Sequence, residues 1–185
     1  MTAKTKLLLT ATATAVAILA RAEGHSPVAS AEIPHFPKVT ASNLESQEFS
    51  LPSQFEGERN LVLIAFEREQ QKDVDSWLPA AKRIEEHDPR FRYYELPTIE
   101  RVNALARWFI NSGMRRGIPD RKSRERTITL YLDKQAFCRA LHIENPKAIH
   151  AFLVDRSGTV LWQAEGDFDG DKGETLRRAV EGGAQ

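Results

Sequence analysis

The chain has 185 residues, with 26 Lys and Arg against 26 Asp and Glu, so its formal net charge is zero with neutral histidines. That length and a 41% apolar share suit one globular domain with an ordinary core and exclude global disorder. Charge balance argues against a protein that coats nucleic acid, and the single cysteine, Cys138, excludes an internal disulfide, a CxxC pair or a cysteine zinc cluster.

Residues 1–22 carry the marks of a secretory signal. Lys4 and Lys6 form a positive start, Leu7 to Ala20 is uncharged, and Ala20-Arg21-Ala22 offers a cleavage site, with Ala29-Ser30-Ala31 as a second. The apolar run of about 14 residues falls short of the roughly 20 that a spanning helix needs, so a cleaved signal is favoured over an inner-membrane anchor. A single Arg and no polar face argue against a mitochondrial presequence. The expected location is therefore outside a bacterial cytoplasm, in the periplasm. Glu23 to Pro37 follows with Pro27, Pro34 and Pro37, and residues 23–38 read as an extended linker before a domain at 39–182.

Asn60 to Phe66 is a continuous apolar run, which suits a strand buried on both faces. Asp73 to Glu86 places Val74, Trp77, Leu78, Ala81 and Ile84 on one side of a helix. Phe91 to Leu96 is aromatic-rich and strand-like. Ile99 to Ile110 has Val102, Leu105, Ala106 and Phe109 at helical spacing. Thr127 to Leu132 reads as a strand and Ala136 to Ile143 as a short helix. Ile149 to Val154 and Thr159 to Ala164 flank the turn signal Asp155-Arg156-Ser157-Gly158 and predict a β-hairpin. Lys172 to Glu181 closes the chain as a helix.

Strand-helix-strand units imply a parallel sheet core, to which the hairpin adds an antiparallel edge. The fold class is α/β, a central mixed sheet flanked by helices and ending in a hairpin and helix, and it resembles the thioredoxin-like fold. Exported thioredoxin-like proteins end a strand in an aromatic residue, open a helix with W-C-x-x-C, and have a proline eight residues after the first cysteine. Counting five forward from Phe66 and eight back from Pro79 both reach Gln71, which puts Gln71 and Val74 where the cysteines would be. The family's cis-proline has no counterpart at Ile149; Pro146 comes earlier.

A narrower resemblance lies in Trp108 to Tyr131, with Met114-Arg115-Arg116-Gly117-Ile118-Pro119, followed by Phe152-Leu153-Val154-Asp155 and Trp162. This segment is similar to the mitochondrial ATP synthase assembly-factor family, over about residues 39–181. The resemblance implies a thioredoxin-like fold without redox cysteines and a role in assembling the proton-channel subunit of the Fo sector. The family's eukaryotic members carry mitochondrial presequences, whereas this chain opens with a bacterial-looking export signal.

Arg115, Arg116, Arg121, Lys122, Arg124 and Arg126 concentrate positive charge, opposed by Asp120 and Glu125 alone, in what reads as a loop shaped by Gly113 and Gly117. Arg115, Arg116, Arg121, Lys122 and Arg124 are the candidate contacts for a protein partner, acidic or membrane-associated, together with the polar turn at Glu67–Asp73. Asp167, Asp169 and Asp171 alternate, but Lys172 and Arg178 occupy the Gly and Glu places of an EF-hand, so the acidic run reads as charge ahead of the last helix. His25, His35, His87, His142 and His150 show no zinc spacing, and no G-x-S-x-G marks a nucleophile.

No catalytic residue, cofactor, metal, nucleic acid or small-molecule substrate is expected. The leading function is a non-redox assembly or binding module. The alternative is a periplasmic peroxiredoxin-like or thiol-dependent oxidoreductase using Cys138.

Overall fold

The computed structural model describes residues 34–182; the expected signal and most of the expected linker lie outside them. The chain order is β1 (Val39–Asn43), β2 (Glu48–Leu51), β3 (Arg59–Ala65), a 3-10 turn (Arg68–Gln70), α1 (Gln71–His87), β4 (Phe91–Glu100), α2 (Ala104–Gly117), α3 (Arg121–Arg126), β5 (Ile128–Leu132), α4 (Lys134–Ala140), β6 (His150–Val154), β7 (Val160–Glu165) and α5 (Gly170–Glu181). The strands form one sheet in the order β2-β1-β5-β4-β3-β6-β7. β3, β4 and β5 are parallel at its centre. Antiparallel pairs, β6 with β7 and β1 with β2, continue it on either side.

The apolar run of β3 is buried on both faces because each face is covered. Leu61 and Leu63 point to a core with Val74, Trp77 and Ala81 of α1 and Leu176 and Val180 of α5. Val62 and Ile64 point to a second core with Phe137 of α4, Phe36 and Phe55. The same alternation runs through Tyr93 against Tyr94 in β4 and Leu153 against Phe152 in β6.

The hairpin turn has the geometry its composition demands. The Asp155 carboxylate accepts from the Ser157 N–H at 2.8 Å and the Thr159 N–H at 2.9 Å. Gly158 has a φ of +97°, and a Cβ there would come within 2.9 Å of Pro52. At the last helix, Asp169 of the acidic run caps α5 by accepting from the Lys172 N–H at 2.8 Å.

Three expectations need correction. First, β4 continues through Pro97 to Glu100, so Ile99 is a strand residue. The helix begins only at Ala104, where Asn103 caps it by accepting from the Ala106 N–H at 2.9 Å. Second, β1 and β2 were not anticipated, although Glu48-Phe49-Ser50-Leu51 alternates exposed and buried side chains; β2 pairs with β1, which joins the sheet by pairing Ser42 and Asn43 with Thr129 and Ile128. Third, the stretch read as linker up to residue 38 is partly core. His35 bridges Thr159, and the Phe36 N–H donates to the Gly158 carbonyl at 2.8 Å. The Phe36 ring is 1% exposed and packs edge-on against Phe55 and Phe137 at 5.7 and 5.8 Å. The packed body therefore begins before residue 39.

Candidate functional site

The carboxyl ends of the parallel strands are where an α/β sheet presents its binding groups. Here Phe66 follows β3, and the 3-10 turn leads into α1 at Gln71. Gln71 is exposed and donates to Asp75 at 3.0 Å and to Glu95 at 3.3 Å. Val74 is buried in the core beside Trp77. The two positions that would hold thiols are thus a surface amide and a core methyl cluster.

Gln70, which carried no signal of its own in the sequence, closes this turn. Its buried side chain accepts from the Phe66 N–H at 2.7 Å and the Glu67 N–H at 3.1 Å, and donates to the Pro146 carbonyl at 2.9 Å. Only the Glu67-x-x-Gln70 spacing, which forms a capping box, could have pointed to it. Pro146 is therefore brought against the turn, and the one cis peptide among the described residues is Leu51–Pro52. His150, on β6, is buried between Phe66 and Phe152 and donates to the Asn145 carbonyl at 2.8 Å.

Beside the turn lies an open cleft of about 350 Å³, lined by Phe66, Glu67, Lys134, Cys138, Ile143 and Pro146 among others. Fold topology brings Cys138 to the same end of the sheet as the altered redox turn, although it lies far along the chain from Gln71 and Val74. Burial pushes its thiol above the ordinary range, against the weaker opposing pull of Lys134. That direction is opposite to what a nucleophilic thiolate needs.

Glu95, on β4 under the start of α1, is 7% exposed. Burial raises its carboxyl above the ordinary 4.5, outweighing the Gln71 hydrogen bond, and Asp75 adds to the rise. A folded-state value above the unfolded one means that stability tied to the protonated form is complete below the unfolded value. It is lost as pH rises through the folded value. Glu95→Gln should therefore raise the melting temperature at pH 7 and change it little near pH 4. Equal shifts at both pH values would show that ionisation of Glu95 is not the cause.

The basic segment read as a loop is helical. Arg115 and Arg116 end α2, Asp120 caps α3 by accepting from the Ser123 N–H at 2.7 Å, and the remaining cations lie on α3. Gly113 and Gly117 are ordinary helical residues with open space beside them, not points of unusual backbone. Most of these cations are already engaged. Arg121 pairs with Glu125 at 2.9 Å and Lys122 with Glu85 at 3.2 Å. Arg124 pairs with Glu45 and donates to the carbonyls of Ile118 and Pro119 at 3.0 and 2.7 Å. Its hydrogen bond holds the Glu45 carboxyl below the usual range. Arg115 donates to the Leu44 carbonyl at 2.7 Å. Arg116 alone of the five has no partner among the described residues.

Arg116→Gln should accordingly shift stability by less than about 0.5 kcal/mol. Arg124→Gln should lower the melting temperature by several degrees, since it frees two carbonyls and a carboxylate at once. Matching melts for the two variants would show that the Arg124 contacts hold nothing.

The helical spacing of Leu105 and Phe109 holds in α2, but their face points outward: they are 66% and 60% exposed, and Trp108 is 62% exposed. Polar groups tie α2 to the body instead: Asn111 accepts from the Tyr131 hydroxyl at 2.8 Å, and the Arg107 guanidinium sits 5.0 Å over the Tyr131 ring.

Comparison with known proteins agrees with this architecture. The chain is similar in structure to the thioredoxin domain of a thiol-disulfide oxidoreductase from Bacteroides vulgatus, with a TM-score of 0.54 and 20% identity over 80% of this chain and 96% of that one. It is also similar to the exposed lipoprotein thioredoxin of Streptococcus pneumoniae, with a TM-score of 0.51 and 12% identity over 78% and 99% of the two chains. A third similar structure is BsSco, a member of the Sco family of cytochrome c oxidase assembly proteins, with a TM-score of 0.54 and 14% identity over 81% and 95%. At these identities the likeness shows the thioredoxin-like fold alone. A search of curated proteins finds no significant match. The family model described as ATP10 protein matches residues 31–182, a span that starts before Phe36 and takes in both the Gln71 turn and the Trp108–Tyr131 segment. The chain therefore belongs to the ATP10 protein family, the assembly-factor family its middle segment resembles, and has a thioredoxin-like fold with no CxxC pair.

Proposed function

We propose that this chain is a non-redox assembly factor that holds a protein partner during assembly of a membrane complex, the Fo sector of an ATP synthase being the case its family points to. The observation that carries the reading is the turn at Phe66–Val74. A buried glutamine has tied it to Pro146, and an amide and a core valine stand at the thiol positions. A fold whose redox turn has become a hydrogen-bonded, thiol-free structure retains the cleft beside it as a place to grip a polypeptide. The cleft has an apolar floor of Phe66 and Ile143, and its rim carries Glu67, Lys134, Arg139 and Glu144. Rim charges of both signs favour orientation of a partner more than raw affinity. The Lys4, Lys6 and Leu7–Ala20 segment supports export, with the partner met outside the cytoplasm.

A photo-crosslinking residue at Gln135, on the cleft rim, tests the reading in cells. The expected product is a crosslink to a subunit of a membrane complex that a crosslinker at exposed Arg177, on α5, does not give. Insulin reduction should not exceed the protein-free rate. A clear rate that disappears in Cys138→Ser would replace this reading with the thiol enzyme. N-terminal sequencing of the protein recovered from the periplasm should begin at Glu23 or Glu32; recovery of the intact leader at the membrane would favour an anchored form.

A further inference from the structure

Helix α2 is built inside out. Its apolar side chains Leu105, Trp108 and Phe109 fall on one face and are 66%, 62% and 60% exposed. Trp108 and Phe109 meet edge to face at 4.9 Å, so the two rings form one raised apolar ridge. None of the 14 residues of α2 is buried. Contiguous exposed apolar side chains of this size mark an interaction surface.

The charge on the same helix is one-sided. From Arg101 to Pro119 the sequence has Arg101, Arg107, Arg115 and Arg116 and no carboxylate, in a chain whose net charge is zero. None of the four forms an ion pair with a carboxylate among the described residues, although Arg115 lies near enough to Glu45 to help Arg124 lower its carboxyl pKa. Arg107 rests over the Tyr131 ring and donates to the Val102 carbonyl at 3.2 Å. Arg115 donates to the Leu44 carbonyl and, at 3.3 Å, to the Ser46 hydroxyl. Arg116 extends from the same side as Leu105 and Phe109, seven or eleven residues on at helical spacing, and has no partner among the described residues. On neighbouring α3, by contrast, Arg121, Lys122, Arg124 and Arg126 all face carboxylates.

We propose that the outer face of α2, Leu105, Trp108, Phe109 and Arg116, docks on an anionic lipid bilayer, with the helix lying in the headgroup region. An acidic protein surface would satisfy Arg116 and leave the aromatic ridge in water. A bare apolar helix would cover the ridge and leave Arg116 unpaired. The interface of an anionic bilayer supplies both, an acyl boundary for Trp, Phe and Leu and phosphates for Arg. At 14 residues α2 is about 21 Å long, short of the roughly 30 Å hydrocarbon core, and no helix among the described residues is long and apolar enough to cross a membrane. The docking is therefore lateral. It adds to the protein-binding role proposed above and does not depend on it.

The test uses the full chain with vesicles of phosphatidylcholine, with or without phosphatidylglycerol, and acyl chains brominated to quench tryptophan. Trp77 is fully buried and Trp162 packs against it at 6.0 Å, so Trp108 is the reporter that can change. Anionic vesicles should shift the emission to the blue and quench it. Trp108→Leu should abolish that signal while still co-floating with the vesicles. Leu105→Ser combined with Phe109→Ser should weaken binding more than about tenfold. Arg116→Glu should weaken it by about fivefold or more, and added salt should weaken it further. These side chains are exposed, so unchanged melts will confirm that the variants fold. The proposal fails if Trp108 is not quenched, or if neutral vesicles act equally well. It also fails if the double serine variant binds undiminished, which would assign binding to the apolar Leu7–Ala20 segment. Shielding of Trp108 only on addition of a solubilised membrane protein would make the face a protein interface instead. The vesicles contain no protein partner, so failure here leaves the cleft crosslink standing, and the reverse holds.

Discussion

Phe36→Ala is expected to destabilise the protein by about 3–5 kcal/mol, the cost of deleting a buried phenyl ring and leaving a cavity. The ring is 1% exposed, edge-on to Phe55 and Phe137, and belongs to the core that includes Val62, Ile64 and Tyr94. For a domain of this size each kcal/mol moves the melting temperature by about 2–4 °C, so the shift should reach roughly 10 °C. Denaturant titration should show a lower midpoint with an unchanged slope, because the rest of the native surface stays buried. A loss below about 1 kcal/mol would mean that the segment before β1 is dispensable and that the packed body starts at Val39 after all.

Arg126→Ala should cost about 3 kcal/mol, the lower end of what breaking a buried ion pair costs. The guanidinium is 11% exposed and pairs with Glu85 at 2.8 Å, itself 9% exposed, and with Glu56 at 3.1 Å. It also lies over the rings of Tyr94 and Tyr93 at 5.4 and 6.0 Å. Removal leaves the Glu85 carboxylate to Lys122 at 3.2 Å and to a long contact from Arg92 at 3.9 Å. Those partners keep the loss from the top of the range. A double-mutant cycle with Glu85→Gln should give a coupling well above that of the exposed pair Arg177–Glu181, whose side chains are 57% and 61% exposed. Coupling energies that match would put Arg126 among ordinary surface pairs. Salt should weaken the α5 pair first, since screening acts most on charges in water.

Local periodicity determined most of the frame. A run such as Leu61–Phe66 has no polar position to leave in water, so it must be a strand covered on both faces, and α1, α4 and α5 cover it. The stripe Val74, Trp77 and Ala81 made α1 legible, and Asp155 to Gly158 made the hairpin legible, because a turn's composition and its backbone geometry are tied within four residues. The count from Phe66 to Pro79 located the altered redox turn, since strand end and helix start are local features too.

What the sequence could not decide were the relations between distant segments. Phe36 sits among prolines and looks like linker until Phe55 and Phe137 close around it. Cys138 reaches the redox end of the sheet only because α4 follows the third parallel strand. Arg124 and Arg126 carry the same charge as Arg116 in sequence. They differ because Glu45 and Glu85 arrive from β1's loop and from α1. The helical spacing of Leu105 and Phe109 correctly marked a helix face but could not say which way the face points. That was settled by where Arg107, Asn111 and Arg115 found partners, on Tyr131 and the Leu44 carbonyl. A periodic stripe specifies only that one side of a helix differs from the other; the neighbours that satisfy the polar side determine whether the apolar side ends in the core or in contact with the surroundings.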